Sequence, residues 1–449
     1  MLTLTFVINI LYRFKTQCEQ HTLTLPLLHM IRYEIAQMKK RPSRSYLLLS
    51  ALLFFFFVTW SSSSSLLSIW LHQEVGLKAS ETGIIFSVLS VSALFAQVFY
   101  GFIQDRLGLR KNLLWFITAL LILSAPAYLC FSYLLRINIL LGSIFGGLFI
   151  GMTFNGGIGV LESYTERVAR QSNFEFGRAR MWGSLGWAVA TFFAGLLFNI
   201  NPDLNFIVAS CSGLVFFCLL ARLKVAAPAS MEKLEIGVKK VSLEDALRLL
   251  MLPRFWALIF FVVGTCIYGV YDQQFPVYFS SQFPTLREGN AMFGYLNSFQ
   301  VFLEAAGMFC APWLVNQMGA KNGLIFAGMV MALRMIASGL VEGPLLISIT
   351  KLLHALELPV LLVAIFKYNS LNFDKRLSST IYLVGFACTS SVIGTVLSPL
   401  AGFSYEKFGF AHSYLIMGIM VFCTTFISIF LLRPNKPSTE QPFLQQGAV

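Results

Sequence analysis

The sequence of 449 residues is 57% hydrophobic and only 12% charged, with 33 Lys and Arg against 21 Asp and Glu and a mean hydropathy of +0.72. Apolar runs of about 20 residues recur along it, which excludes a soluble globular fold and reads as an α-helical protein that crosses a membrane many times. The formal charge of +12 invites nucleic acid, but the position of the charge excludes it. Of the Lys and Arg, 23 fall in loops on one side of the expected spans and 4 on the other (Lys78, Arg136, Arg287, Lys407), with 3 inside spans and 3 in the N-terminal extension. That asymmetry places the basic side in the cytoplasm.

Residues 1–37 hold no run long enough to cross a bilayer, and they lack the basic start and small-residue cleavage site of a signal peptide. Met38-Lys39-Lys40-Arg41 then supplies a basic flank, so the first 37 residues read as a dispensable tail or an upstream start. Twelve spans follow, at 46–71, 82–104, 112–132, 138–161, 179–199, 205–221, 254–280, 291–314, 323–341, 344–366, 378–404 and 412–432. Ser61 to Ser65 interrupt the first with small hydroxyls that suit close helix packing or a cavity wall. The eight Cys lie mostly in apolar segments without metal or CxxC spacing and read as small buried hydrophobes, with no metal site. The polar stretch from Arg222 to Arg254 divides the chain six spans plus six. The organisation expected is an N-terminal flank (1–44), a six-helix bundle (45–222), a central cytoplasmic loop (223–253), a second six-helix bundle (254–432) and a cytoplasmic tail (433–449).

The halves carry a faint repeat. Gly101-Phe-Ile-Gln-Asp105-Arg106-Leu-Gly108-Leu-Arg110-Lys111 links spans two and three, and Asn316-Gln-Met-Gly319-Ala-Lys321 links spans eight and nine. A same-sense repeat after six spans implies two parallel bundles about an axis along the membrane normal. In the first loop, Gly101 and Gly108 permit close packing and a tight turn, while Asp105, Arg106, Arg110 and Lys111 can pair or cap helix ends. That loop resembles the signature of the major facilitator superfamily, G-x3-D-R/K-x-G-x-R/K-R/K. The resemblance implies an all-α membrane protein of twelve transmembrane helices in two pseudo-symmetric six-helix bundles.

Charged residues inside the spans carry the functional reading. They are Glu162, Arg180, Asp272, Glu304, Arg334, Lys351 and Glu357, with His354 beside them: four acids against three bases if His is neutral. Each costs on the order of 2.5 kcal/mol or more in a bilayer if left charged and alone, so they pair, or line a wet cavity where they handle protons or polar substrates. Lys351, His354 and Glu357 share one helical arc by their three-residue spacing. Glu357 sits between Leu356 and Leu358, where desolvation favours the protonated acid, and an approaching Arg334 would favour release. Glu162 and Arg180, on adjacent helices, can hold each other and fork onto a ligand's hydroxyls, and Trp187 two turns beyond Arg180 offers a plate for a sugar ring.

Residues 161–187, Tyr271-Asp272-Gln273-Gln274-Phe275, Arg334, Lys351-Leu-Leu-His-Ala-Leu-Glu357 and Phe366-Lys-Tyr368 resemble the oligosaccharide:proton symporters, the family that carries lactose, raffinose and sucrose. The likeness covers essentially all of 45–432. It implies sugar ligands in Glu162, Arg180, Trp187, Asn155, Asp272, Glu304, Lys351 and His354, and proton coupling by Glu357, Arg334 and His354, with Asp272 and Lys351 as an intramembrane pair. It implies no cofactor beyond the coupling proton. The partners are then a sugar, a proton and membrane lipid, with no nucleic acid, in a functional monomer of the bacterial inner membrane with both termini in the cytoplasm.

Two departures point within the family to its sucrose branch. Where the lactose branch has a paired Asp and Lys, this chain has Gly269 and Ser390; losing both charges is close to neutral, whereas losing one strands the other. The lactose branch's sugar-facing Glu on span eight is Val301 here, with Glu304 one turn further on the same face. Trp187 instead follows the lactose branch, and Ile158 is bulky where small residues are usual. A channel would show repeated carbonyl or charge rings, a sensor a large soluble output domain, and an enzyme a recognisable constellation; HExxH, GxSxG and a Walker loop are all missing.

Overall fold

The computed structural model describes residues 43–107, 110–172, 174–223, 249, 251–373, 381 and 383–434. Residues 1–37, most of the central loop and most of the C-terminal tail lie outside them, as do Gly108 and the side chains of Asp105 and Arg106.

Ten helices are long and apolar enough to cross a membrane, and two features bring the crossings to the expected twelve. Asn112–Ile122 and Ser124–Ile137 form one span bent by 60°. Pro126 accounts for the bend, because it has no N–H for the carbonyl of Ile122 and its ring crowds that oxygen. The stretch Gly385–Leu431 is 47 residues long, about 70 Å at helical rise and so twice a bilayer. It is broken at Gly409, whose φ of 77° is open to glycine at little cost. The eleventh and twelfth spans therefore meet at Gly409. The other spans are Arg44–Gln73 (first), Ala79–Gln104 (second), Ile139–Ser172 (fourth), Phe176–Ile200 (fifth), Asp203–Arg222 (sixth), Pro253–Ser280 (seventh), Leu286–Met318 (eighth), Ala320–Leu340 (ninth) and Pro344–Asn372 (tenth).

Four spans are irregular near mid-membrane: the first turns at Ser65–Leu66, the fourth widens to a π-turn over Gly151–Gly156, the seventh turns at Cys266 and the tenth at Leu353. The serine run is packed rather than exposed to a cavity. Ser61, Ser62 and Ser63 are buried; Ser61 donates to the carbonyl of Trp187 at 3.0 Å, and Ser63 to that of Thr59 at 2.9 Å. Hydroxyls that bond backbone carbonyls loosen the helix that bears them, and the first span breaks directly after the run. The cysteines correct an expectation. Of the seven described, all free, only Cys266 is buried and five lie on exposed span surfaces. Those surfaces face hydrocarbon, in which a thiol is as comfortable as in a core.

The contacts that join the two halves lie away from the basic loops. Ser80 donates both its N–H and its hydroxyl to Glu406 (2.8 and 2.7 Å), Ser87 donates to the carbonyl of Thr395 at 2.6 Å, and Asn290 and Gln73 exchange amide hydrogen bonds at 2.9 and 3.2 Å. Backbones touch there through glycines: a Cβ on Gly195 would sit 2.2 Å from the carbonyl of Asn290, and one on Gly402 2.3 Å from that of Ala79. On the basic side Gly101 and Gly177 have nothing within 4 Å of such an atom. Gly101 thus packs against nothing in this state, contrary to the packing role read from the motif. Lys111 does cap a helix end, donating to the carbonyls of Leu220 and Leu223 at 3.2 and 2.7 Å. Arg110 is exposed. Among the described residues the contacts between the halves gather on the face away from the basic loops.

Gly195→Leu with Gly402→Leu is expected to prise the closed face apart, since neither backbone carbonyl can yield as a flexible side chain would. Spin labels at Asp203 and Glu288 should then report longer separations than in the parent; an unchanged distance distribution would refute the assignment of these glycines to the closure.

Candidate functional site

The site has two poles facing each other across the space between the halves. In the first half, Glu162 on the fourth span and the guanidinium of Arg180 on the fifth form an ion pair, each side chain about one-third exposed. The Arg180 guanidinium lies 4.4 Å over the ring of Phe57 from the first span. Trp187 is half-buried beyond it, and Asn155 and Ile158, also half-buried, are carried by and just after the π-turn of the fourth span. The structure thus brings Glu162, Arg180 and Trp187 together around the first span, with Asn155, which the resemblance alone implied, two turns from Glu162 on the fourth span.

In the second half, Asp272 of the seventh span is shared. Lys351 donates to its Oδ1 at 2.7 Å, and Arg334 of the ninth span donates to both oxygens at 3.1 and 3.4 Å. Arg334 also reaches Glu357 Oε1 at 2.8 Å, and His354 Nδ1 lies 2.8 Å from that same oxygen and 3.9 Å from Asp272. Arg334 and Glu357 are fully buried; Lys351 and His354 nearly so. Both neighbours of His354 Nδ1 are carboxylates, so Nδ1 carries a hydrogen.

The tenth span presents these groups because it is not a simple helix. It turns at Leu353, between Lys351 and His354. Pro359 cannot bond the carbonyl of Ala355, and Gly307 of the eighth span packs against that freed oxygen, where a Cβ would come within 2.5 Å. This close approach brings in Glu304, one turn before Gly307. Glu304 lies within electrostatic reach of His354, Lys351 and Asp272 in its own half and of Arg180 in the other. Glu304 therefore stands between the poles. The two neutral positions are also neighbours: the thiol of Cys266, one turn before Gly269, shares a hydrogen bond with Ser390.

The connection of Asp272 to Arg334 was not legible in the sequence, where Asp272 pairs with Lys351 and Arg334 with Glu357 as separate couples. Nothing in residue spacing says that the ninth span's arginine lies between two carboxylates. Its consequence is that the cluster is balanced as a unit, two acids against two bases. Removing Lys351 leaves Asp272 with a countercharge; removing Asp272 leaves Lys351 buried with none, a loss of about 3–5 kcal/mol. Lys351→Met is expected to retain membrane expression, whereas Asp272→Asn loses it and recovers it when Lys351→Met is added. Equal damage from the two single changes would refute the sharing.

The sequence model of the LacY proton/sugar symporters matches residues 37–443. The chain belongs to that family. It is a membrane-embedded proton/sugar symporter, a transporter rather than an enzyme. The match starts where the basic flank was placed. A raffinose permease of Escherichia coli is 41% identical over 388 residues, 85% of this chain and 91% of that one. A sucrose permease of Escherichia coli is 40% identical over 382 residues, 83% and 90% of the two chains. In fold the chain is similar to the crystal structure of the nucleoside transporter NupG, with a TM-score of 0.70 at 12% identity over 87% of this chain and 99% of that one.

Proposed function

We propose that the protein imports a disaccharide, sucrose first, together with a proton across the bacterial inner membrane by alternating access, as a monomer with both termini in the cytoplasm. The basic face is then cytoplasmic, and the structure is the inward-open state. The carrying observation is the carboxyl of Glu357. Its Oε1 takes both Arg334 and His354, while its Oε2 is buried with no hydrogen-bond partner among the described residues. An ionised oxygen left bare in an apolar site is costly, and a proton there removes the cost. Arg334 opposes this by stabilising the charged form. It can withdraw from Glu357 without being stranded, because Asp272 still holds it. Protonation and movement of Arg334 are therefore linked at low cost.

The sugar bridges the poles. Glu162 and Arg180 exchange their mutual contact for bonds to its hydroxyls, and His354 meets it with its outer ring nitrogen, so sugar occupancy is sensed by a side chain in direct contact with the proton site. Sucrose over lactose, melibiose or raffinose is supported by Glu304 in place of an acid at Val301 and by the neutral Gly269 and Ser390. Uptake of a labelled panel of these four sugars into vesicles, with and without a proton gradient, tests the reading. Sucrose should be accumulated most, and only with the gradient; accumulation indifferent to the gradient would refute coupling, and a higher rate for another sugar would reassign the substrate.

A further inference from the structure

The aromatic residue of the first half that the sugar reading leaves unused is Trp60. It sits on the first span one turn beyond Phe57, bracketed by the two spans that carry the ion pair. Its ring is parallel to Phe154 of the fourth span (5.9 Å, 3°) and nearly perpendicular to Trp187 of the fifth (5.5 Å, 80°). On the first span Phe56, one turn before Trp60, packs against Trp60, Phe154 and Phe216 together, while Thr59 reaches toward the carbonyl of Ala209 on the sixth span. Ring contacts with the fourth span on one side and the fifth on the other place Trp60 inside the first-half bundle.

Phe56, Phe57 and Phe154 are buried, but Trp60 is only half-buried, like Trp187. Among the described residues neither indole N–H, nor the side-chain amide of Asn155, bonds a protein group, and none of them is sealed from the cavity. A tryptophan N–H in an apolar span ordinarily finds a partner, and one left dry without it is costly. Two such donors and one amide at a single level describe a wetted wall built for hydroxyls. That level is set by helix geometry. Trp187 lies seven residues from Arg180 and Phe154 eight from Glu162, so the backbone carrying the aromatic layer stands about 10–12 Å deeper than that carrying the ion pair, and the long Arg180 side chain spans much of that depth to rest 4.4 Å over Phe57.

We propose that Trp60 is a second sugar-contacting tryptophan, which closes the deep end of the first-half subsite at right angles to Trp187. One sugar ring lies with its apolar face on Trp187, its hydroxyls on Glu162 and Arg180 at the near side, and the indole N–H of Trp60 donates to a hydroxyl at the far side with Asn155 beside it. Aromatic walls with a few placed polar groups are the usual lining of a small-molecule site. The inference rests on the disaccharide reading above and adds a contact to it.

The test is calorimetric titration of the purified full chain with sucrose, raffinose, melibiose and lactose, for the parent, Trp60→Ala and Trp60→Phe. Trp60→Phe keeps the parallel ring on Phe154 and removes only the donor and part of the wall. The expected result is a Kd for the best-bound sugar weakened tenfold or more in Trp60→Ala and threefold or more in Trp60→Phe. Parent-like Kd values in Trp60→Phe overturn the proposal whether or not Trp60→Ala can be purified. A parent that binds none of the four sugars overturns the disaccharide reading and this contact together; a parent that binds, beside variants that bind equally well, overturns the contact alone.

Discussion

Glu357→Gln is expected to bind sugar and exchange it across the membrane while losing all accumulation against a gradient. The amide fixes the neutral form of the side chain, so the state that pairs a protonated Glu357 with bound sugar is always available, and exchange of labelled for unlabelled sugar needs nothing more. Return of the empty carrier does need more. In this structure Glu357 Oε1 lies 2.8 Å from Arg334 and 2.8 Å from His354 Nδ1, the arrangement expected once the proton has left. A glutamine has no proton to lose and no charge for Arg334 to meet, so the proton gradient has nothing to act on. A charge-assisted contact of this kind contributes about 1.5–3 kcal/mol, enough to set the direction of a two-state equilibrium. Vesicles loaded with labelled sugar should show parent-like exchange and no uphill uptake. Continued accumulation in Glu357→Gln would move the coupling site elsewhere, with Glu304 the next candidate because it lies within electrostatic reach of His354 and Lys351 from the eighth span.

The spans were legible because a bilayer imposes a length and an apolar composition on any helix that crosses it, and those constraints act residue by residue along the chain. The places where helices bend were legible only when a residue with a backbone effect marks them, such as Pro126 or Gly409. The turns at Cys266 and Leu353 have no such marker, and they arise from packing between spans distant in sequence. The site divides in the same way. Glu162 with Arg180, and His354 with Glu357, could be read because a charge inside an apolar run demands a partner, and few candidates exist. The double role of Arg334 could not be read, because which carboxylates flank it depends on the spacing of the seventh, ninth and tenth spans. Trp60 was hidden for a different reason. It ends the run Phe54-Phe55-Phe56-Phe57-Val58-Thr59, in which an aromatic residue looks like one more apolar side chain until its neighbours are placed.

Arg180→Ala and Glu162→Ala should each abolish sugar binding in a protein that still folds. Both side chains are about one-third exposed to the cavity, so their pairing is not a structural support of the bundle, and a stranded partner can be hydrated from the open face. The guanidinium also rests on Phe57 at 4.4 Å, with its Nη1 directed at Ser184 Oγ at 3.5 Å. Losing Arg180 removes two charge-assisted bonds to hydroxyls at once, and at about 1.5–3 kcal/mol each this weakens binding roughly hundredfold or more. Arg180→Lys keeps the charge but not the planar fork, and should recover little of the affinity. Glu162→Gln keeps an acceptor and should recover part of it. Titration calorimetry on the purified variants, with thermal unfolding as the check on folding, gives the answer. Parent-like sugar affinity in either alanine variant would show that the sugar is held elsewhere, and the deep wall of Trp60 and Trp187 would then lose its place as the far side of the same subsite.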